Sequence, residues 1–208
     1  MIAIIDYGSG NLGSITNMLK VIGAKSVVTN NIEVIRNAKK IILPGVGSFD
    51  NGMNNLIEMG LDKIIKEEAK TGKPILGICL GMQLLGRKSE EGQLEGLGLI
   101  PFDNVKFNFE NIDEKQQAIL KIPHMGWDIV ESKKNVPLLK NIKDQPRFYF
   151  VHSYHALCDN DENILMTCDY GYQFAASVFK DNVYGVQFHP EKSHNFGMRL
   201  LKNFVEEY

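Results

Sequence analysis

The 208 residues carry 23 Lys and Arg against 25 Asp and Glu, a net charge of −2, and are 44% hydrophobic and 23% charged. That length fits one sizeable core, so a single domain over residues 1–208 is expected. The scattered lysines form no basic stripe for a phosphate backbone and no apolar run is long enough to span a bilayer, which excludes nucleic acid and membrane insertion. Cys79, Cys158 and Cys168 are odd in number and lack CxxC spacing, which argues against a disulfide framework and a zinc site.

The chain opens on Ile2-Ala3-Ile4-Ile5-Asp6 with no basic leader or cleavage site, so it reads as an interior strand and a cytoplasmic location is expected. Leu12, Ile15, Leu19 and Ile22 then share a helical face, and Val27 and Val28 begin a second strand. The βαβ rhythm continues through a strand at Lys40 to Leu43 and a loop at Pro44 to Ser48. A helix carrying Leu61, Ile64, Ile65 and Ala69 follows, then a strand from Pro74 to Ile78. These runs predict an α/β fold with a mostly parallel central sheet flanked by helices. From about Gly98 to Phe188, short alternating segments such as Phe148 to Val151 and Val183 to Phe188 predict antiparallel additions to that sheet. A helix from Asn195 to Glu207, with Phe196, Leu200, Leu201 and Phe204 on one face, closes the chain.

Gly8-Ser9-Gly10-Asn11-Leu12-Gly13 satisfies GxGxxG between a strand and a helix, the context of a dinucleotide fingerprint. The ribose-binding acid expected at the end of the second strand is missing, because that end reads Val28-Thr29-Asn30-Asn31 and Glu33 lies beyond it. A plain strand-to-helix turn, or a loop approached by a ligand or partner, is the alternative.

Cys79 stands where the apolar strand Pro74 to Ile78 runs into a helix, with Gly77 and Gly81 two residues to either side. A nucleophile on such a strained turn needs small neighbours to leave room for it, and the helix start favours a thiolate. The competing reading is a small buried hydrophobe. Against it stands His189-Pro190-Glu191, directly after the apolar strand Val183 to Phe188. If that segment is extended, residues two apart face the same side, so Glu191 can orient the His189 ring as base. A Cys79, His189, Glu191 triad follows. His124, His152, His155 and His194 lack a carboxylate two residues away and read as structural or interface groups, and Cys158 and Cys168 as inert thiols. Acyl transfer also needs an oxyanion stabiliser, for which Pro44-Gly45-Val46-Gly47 can present a backbone N–H beside that of Leu80.

Across nearly the whole chain these residues resemble the HisH-type class I glutamine amidotransferases, the glutaminase subunits of imidazole glycerol phosphate synthase. The matching segments are Ile5 to Asn11, Leu43 to Phe49, Gly77 to Gln83, Pro123 to Trp127, Tyr149 to Tyr154 and Gly185 to Ser193. The resemblance implies one glutamine amidotransferase type 1 domain over 1–208, with Cys79 attacking the glutamine amide and His189 protonating the leaving ammonia. It implies oxyanion N–H groups from Val46 and Leu80, and glutamine held by Gly47, Gln83, Glu91 and the backbone of Ser153 and Tyr154. It implies no cofactor and no metal. It also implies docking on a HisF-type (β/α)8 synthase that makes imidazole glycerol phosphate and AICAR, with Asn11, Trp127, Tyr149 and Lys192 near that interface, and ammonia channelled between the subunits. HisH-like subunits resemble partners of sugar-aminating synthases for surface polysaccharides as well, and Ser48 to Met53 fits that branch. From other classes, an idle scaffold of this fold and a dinucleotide-binding protein are the rivals.

Overall fold

A computed structural model of the chain describes residues 1–142 and 145–208. In the first half, β1 (Ile2–Ile5), β2 (Ser26–Thr29), β3 (Lys40–Leu43) and β4 (Ile75–Ile78) alternate with five helices. These are α1 (Leu12–Ile22), α2 (Ile32–Asn37), α3 (Phe49–Glu58), α4 (Leu61–Lys70) and α5 (Leu80–Leu84). The second half supplies β5 (Phe102–Lys106), the short helix α6 (Glu114–Gln117) and β6 (His124–Ser132). Then come β7 (Arg147–His152), β8 (Tyr154–Cys158), β9 (Ile164–Asp169), β10 (Gln173–Lys180) and β11 (Val183–Val186), before the closing helix α7 (His194–Glu206).

The sheet runs β2-β1-β3-β4-β11-β10-β9-β6-β7, with β8 attached to β10 and β5 to β8. The first five strands of that order are mutually parallel and the rest antiparallel. Every residue of β1, β3, β4 and β11 is buried, as the near-continuous apolar runs of a sheet covered on both faces require. Alternation along β1 sends Ala3 and Ile5 to a layer formed with Leu56 of α3 and Ile64 of α4. It sends Ile2 and Ile4 to the opposite layer, with Ile15 and Leu19 of α1 and Leu200 and Phe204 of α7. Each of these Ile, Leu and Phe side chains fully removed from water contributes about 1.5–3 kcal/mol. Among the described residues, no helix is long and apolar enough to cross a membrane.

One expectation is corrected in part. Val183 to Phe188 is not purely an antiparallel addition: β11 is antiparallel to β10 but pairs parallel with β4, from Val183 opposite Ile75 to Val186 opposite Ile78. Its Val-Tyr-Gly-Val run is buried on both faces, which suits the parallel centre of the sheet. That placement brings the carboxyl end of β11 beside the carboxyl end of β4.

Candidate active site

Cys79 sits between β4 and α5 at φ 54° and ψ −112°, a conformation costing a side-chain-bearing residue on the order of 1–3 kcal/mol. Neighbouring backbone holds it there: its N–H donates to Val186 at 2.8 Å and its carbonyl accepts from Gln83 at 3.2 Å. The flanking glycines act differently from the expectation. Cys79 is buried, and the missing side chains admit backbone rather than open space around sulfur. A Cβ on Gly81 would overlap the Leu43 carbonyl oxygen, and one on Gly77 would lie 2.7 Å from the Gly81 oxygen. Glycine here lets the ends of β3 and β4 and the start of α5 meet.

His189 follows β11, so the pairing of β11 with β4 carries it to the cavity that Cys79 also lines. Its N–H donates to the Tyr149 carbonyl at 2.9 Å. Ser193 Oγ accepts from Tyr149 N–H at 3.0 Å and donates to the His189 carbonyl at 2.6 Å, tying the turn to β7. Glu191 does meet His189, with Nδ1 to Oε1 at 2.8 Å, but not through an extended segment. Pro190–Lys192 is a 3-10 turn that folds the carboxylate back onto the ring. The two side chains are 2% and 1% exposed, so water screens their interaction little. Burial alone would lower the His189 pKa, yet Cys79 and Glu191 outweigh it and raise it to about 9. His189 Nε2 is buried without a hydrogen-bond partner, leaving it open to a reacting group.

A cavity of about 300 Å³ is lined by Val46, Gly47, Cys79, Leu80, Gln83 and Glu91 from the first half, and by Pro123, Val151, His152, Ser153, Tyr154 and His189 from the second. It gathers every residue expected to act in hydrolysis, oxyanion stabilisation or glutamine binding except Glu191, which lies behind the His189 ring. A larger groove, about 640 Å³ along β6 and β9, holds none of them; chemistry rather than size selects the smaller cavity.

The two N–H groups expected for an oxyanion are both engaged. Val46 N–H donates to Ser9 Oγ at 2.9 Å while the Ser9 hydroxyl donates to the Val46 carbonyl, and Leu80 N–H donates to the Gly45 carbonyl at 3.3 Å. The GxGxxG loop thus packs on the Pro44 to Gly47 loop: a Cβ on Gly10 would lie 3.1 Å from Pro44 Cβ. Glu91 Oε2 accepts from Phe49 N–H at 2.8 Å. Gln83 Nε2 donates to the Tyr154 carbonyl at 3.2 Å and to Gln187 Oε1 at 3.1 Å.

Of the residues expected at a partner face, three cluster. Lys192 Nζ stands 5.4 Å over the Tyr149 ring, and Tyr149 meets Trp127 edge-on at 6.0 Å. Trp127, 36% exposed, stacks on His194 at 5.1 Å. Asn11 precedes α1 with no side-chain cap bond. Burial pushes the thiols of Cys158 and Cys168 up to about 12, so neither offers a thiolate at neutral pH. Among the described residues, no group of three or more His, Cys, Asp or Glu could hold a metal ion. Roles were not foreseen for Ser9, Ser193 or Gln187, whose Nε2 lies 3.9 Å from Cys79 Sγ. Gln187, a buried amide inside the apolar run Val183 to Phe188, was the one with a sequence signal.

Residues 3–208 match the model of the family described as glutamine amidotransferase class-I. The chain is 53% identical over 208 residues to imidazole glycerol phosphate synthase subunit HisH 2 of Methanococcus maripaludis, covering all of both chains. It is 50% identical over 207 residues to subunit HisH 2 of Pseudomonas aeruginosa, covering 99% of each. It is 46% identical to subunit HisH of Sulfurimonas denitrificans, covering 99% of this chain and 98% of that one. Among solved structures, PurLQS from Thermotoga maritima superposes with a TM-score of 0.72 over 99% of this chain and 97% of that one; at 18% identity this likeness speaks for the fold alone.

Proposed function

The chain belongs to the class-I glutamine amidotransferases, and from that premise we propose that Cys79, His189 and Glu191 hydrolyse glutamine to glutamate and ammonia. The observation that carries the reading is the meeting of three separate segments at one cavity: the strained Cys79 turn, His189 with the buried Glu191 behind its ring, and Val46 and Gly47 of the loop after β3.

The Cys79 thiolate attacks the side-chain amide carbon of glutamine, and a tetrahedral oxyanion forms. The imidazolium of His189 gives its Nε2 proton to the departing nitrogen, so ammonia leaves and a glutamyl thioester remains. Neutral His189 then takes a proton from water as that water attacks the thioester carbon. Collapse breaks the C–S bond, releases glutamate and restores the thiolate with the imidazolium. Glu191 does not touch substrate; it fixes Nδ1–H and thereby directs Nε2 to the reacting atoms. The N–H groups of Val46 and Leu80 receive the oxyanion once their present bonds are released, and Gly47, Gln83, Glu91, Ser153 and Tyr154 hold the glutamine.

The relatives named as subunits of imidazole glycerol phosphate synthase support a second chain as the ammonia acceptor, a HisF-type (β/α)8 synthase in histidine biosynthesis. The exposed Trp127 and Lys192, clustered with the half-buried Tyr149 beside His189, support docking on that side of the cavity. The test is glutamate release from glutamine with and without the co-purified synthase, alongside Cys79→Ala; wild-type release no greater than the variant's in both conditions overturns the reading. Rescue of a histidine auxotroph lacking its own subunit, with the cognate synthase co-expressed, tests the pathway. Failure there with intact glutaminase activity would assign the ammonia to sugar amination instead.

A further inference from the structure

Glu91 reaches the cavity from a stretch without regular structure of its own: residues 85–101, between α5 and β5, contribute no helix or strand. Upstream the stretch is fixed to β5, where Glu90 N–H donates to the Asn104 carbonyl at 2.9 Å. Downstream the hold comes from one side chain. The Asp50 carboxylate accepts from Gln93 N–H, at 3.0 Å to Oδ1 and 2.9 Å to Oδ2, and from Leu94 N–H at 3.0 Å to Oδ1. The tie is reciprocal. Asp50 is the second residue of α3, and the first, Phe49, gives its N–H to Glu91 Oε2 at 2.8 Å, at a helix start where Ser48 makes no side-chain cap bond. Two carboxylates thus clasp the start of α3 to residues 91–94, each taking backbone donors from the other's segment.

Gly92 shows how close the two segments lie. A Cβ there would overlap Asp50 Oδ1 and stand 2.5 Å from Asp50 Cγ and 2.9 Å from Oδ2, so the three nearest atoms all belong to that carboxyl group. Gly92 does not have a positive φ, and its backbone would accept alanine; the carboxylate is what excludes a side chain. The clasp also borders the loop after β3, since Phe49 follows Gly47 by two residues and Val46 and Gly47 line the cavity with Glu91. An irregular segment holds a charged side chain in one place only while its backbone groups are tied. Each residue set free regains conformational entropy, which ligand binding must then remove.

We propose that Asp50 is a positioning residue for glutamine binding: by holding the Gln93 and Leu94 N–H groups it fixes the backbone that carries Glu91. The role in glutamine binding rests on the glutaminase reading above. A double-mutant cycle tests it, with Asp50→Ala, Gly92→Ala and the double variant assayed in complex with the synthase partner. Asp50→Ala removes the carboxylate and Gly92→Ala displaces it, so each should raise the glutamine KM about tenfold, on the order of losing one hydrogen bond to a charged group, with a smaller change in kcat. In the Asp50→Ala background the three atoms that the Gly92 methyl would strike are gone. The double variant should therefore stay about tenfold above wild type, whereas independent effects would multiply to about 100-fold. Asp50→Asn, a milder change that keeps the Oδ1 acceptor, should fall between wild type and Asp50→Ala. Lowered Tm with unchanged KM in Asp50→Ala, a KM for Asp50→Asn equal to that of wild type or of Asp50→Ala, or a rise of about 100-fold in the double variant overturns the proposal. Absence of glutamine turnover in the wild type would instead sink the glutaminase reading. The Tm cycle, in which Gly92→Ala should cost nothing further once Asp50 is alanine, would still decide the clasp.

Discussion

Gly81→Ala probes the contact that sets Cys79 in place. The added methyl would overlap the Leu43 carbonyl oxygen and lie 3.2 Å from the Pro44 carbonyl carbon, both backbone atoms at the end of β3 that have no rotamer to change. Gly81 does not have a positive φ, so alanine meets a steric penalty and not a conformational one. Overpacking of this kind costs about 1–3 kcal/mol. At about 2–4 °C per kcal/mol for a chain of this size, Tm should fall by roughly 2–12 °C. Relief must separate β3 from α5, which carries the Pro44 to Gly47 loop away from Cys79 and lowers glutaminase activity even in the folded fraction. Gly13→Ala is the control: nothing lies within 4 Å of its Cβ, it sits in α1, and helix propensity should raise stability by about 1 kcal/mol. Thermal denaturation followed by circular dichroism, with glutamate release measured on the same preparations, reads both effects. A Gly81→Ala protein with wild-type Tm and activity would refute the close-packing account.

Four further outcomes follow from the site. Because His189 is raised from 6.5 to about 9, the folded state holds a proton the unfolded chain releases between those values. Its contribution to stability is complete below about 6.5 and lost as pH rises through about 9, and kcat/KM should fall along the same alkaline limb. Glu191→Gln removes one of the groups raising that pKa, so the limb should move to lower pH and kcat should drop on the order of 100-fold; an unmoved limb counts against the pairing. Ser9→Ala releases the Val46 N–H and should raise partner-free glutamate release by up to about 100-fold, the worth of one oxyanion donor, whereas no increase would show that Ser9 does not restrain that loop. Trp127→Ala should weaken synthase binding by at least about 30-fold in titration calorimetry, as loss of an exposed aromatic anchor does, and unchanged affinity would remove Trp127 from the docking face.

The parallel half of the sheet was legible because β1, β3 and β4 are short apolar runs separated by helical periodicity, and both their faces are buried. The nucleophile was legible because GxCxG joins a strand signal to a helix signal at one residue. The neighbour of β4 was not, since Val183 pairs with Ile75 across more than half the chain and no local pattern reports such a partner. The contact between His189 and Glu191 was anticipated for the wrong reason: spacing of two suits an extended strand, and Pro190 starts a turn instead. His124 and His152 read as structural or interface groups because neither has a carboxylate two residues away, while Asp128 is four from His124 and His152 faces His124 from the paired strand β7. Ser9 carried no signal at all, as its partner Val46 belongs to another loop and the bond engages its backbone.

The central claim is covalent chemistry at Cys79, and acid quenching during turnover tests it most directly. With glutamine and the synthase partner present, mass spectrometry of the digested protein should find a glutamyl group on the peptide containing Cys79. It should be absent from Cys79→Ala, which should release no glutamate above background. Glutamate release by Cys79→Ala at the wild-type rate, with Cys79 of the wild type never acylated, would contradict the account.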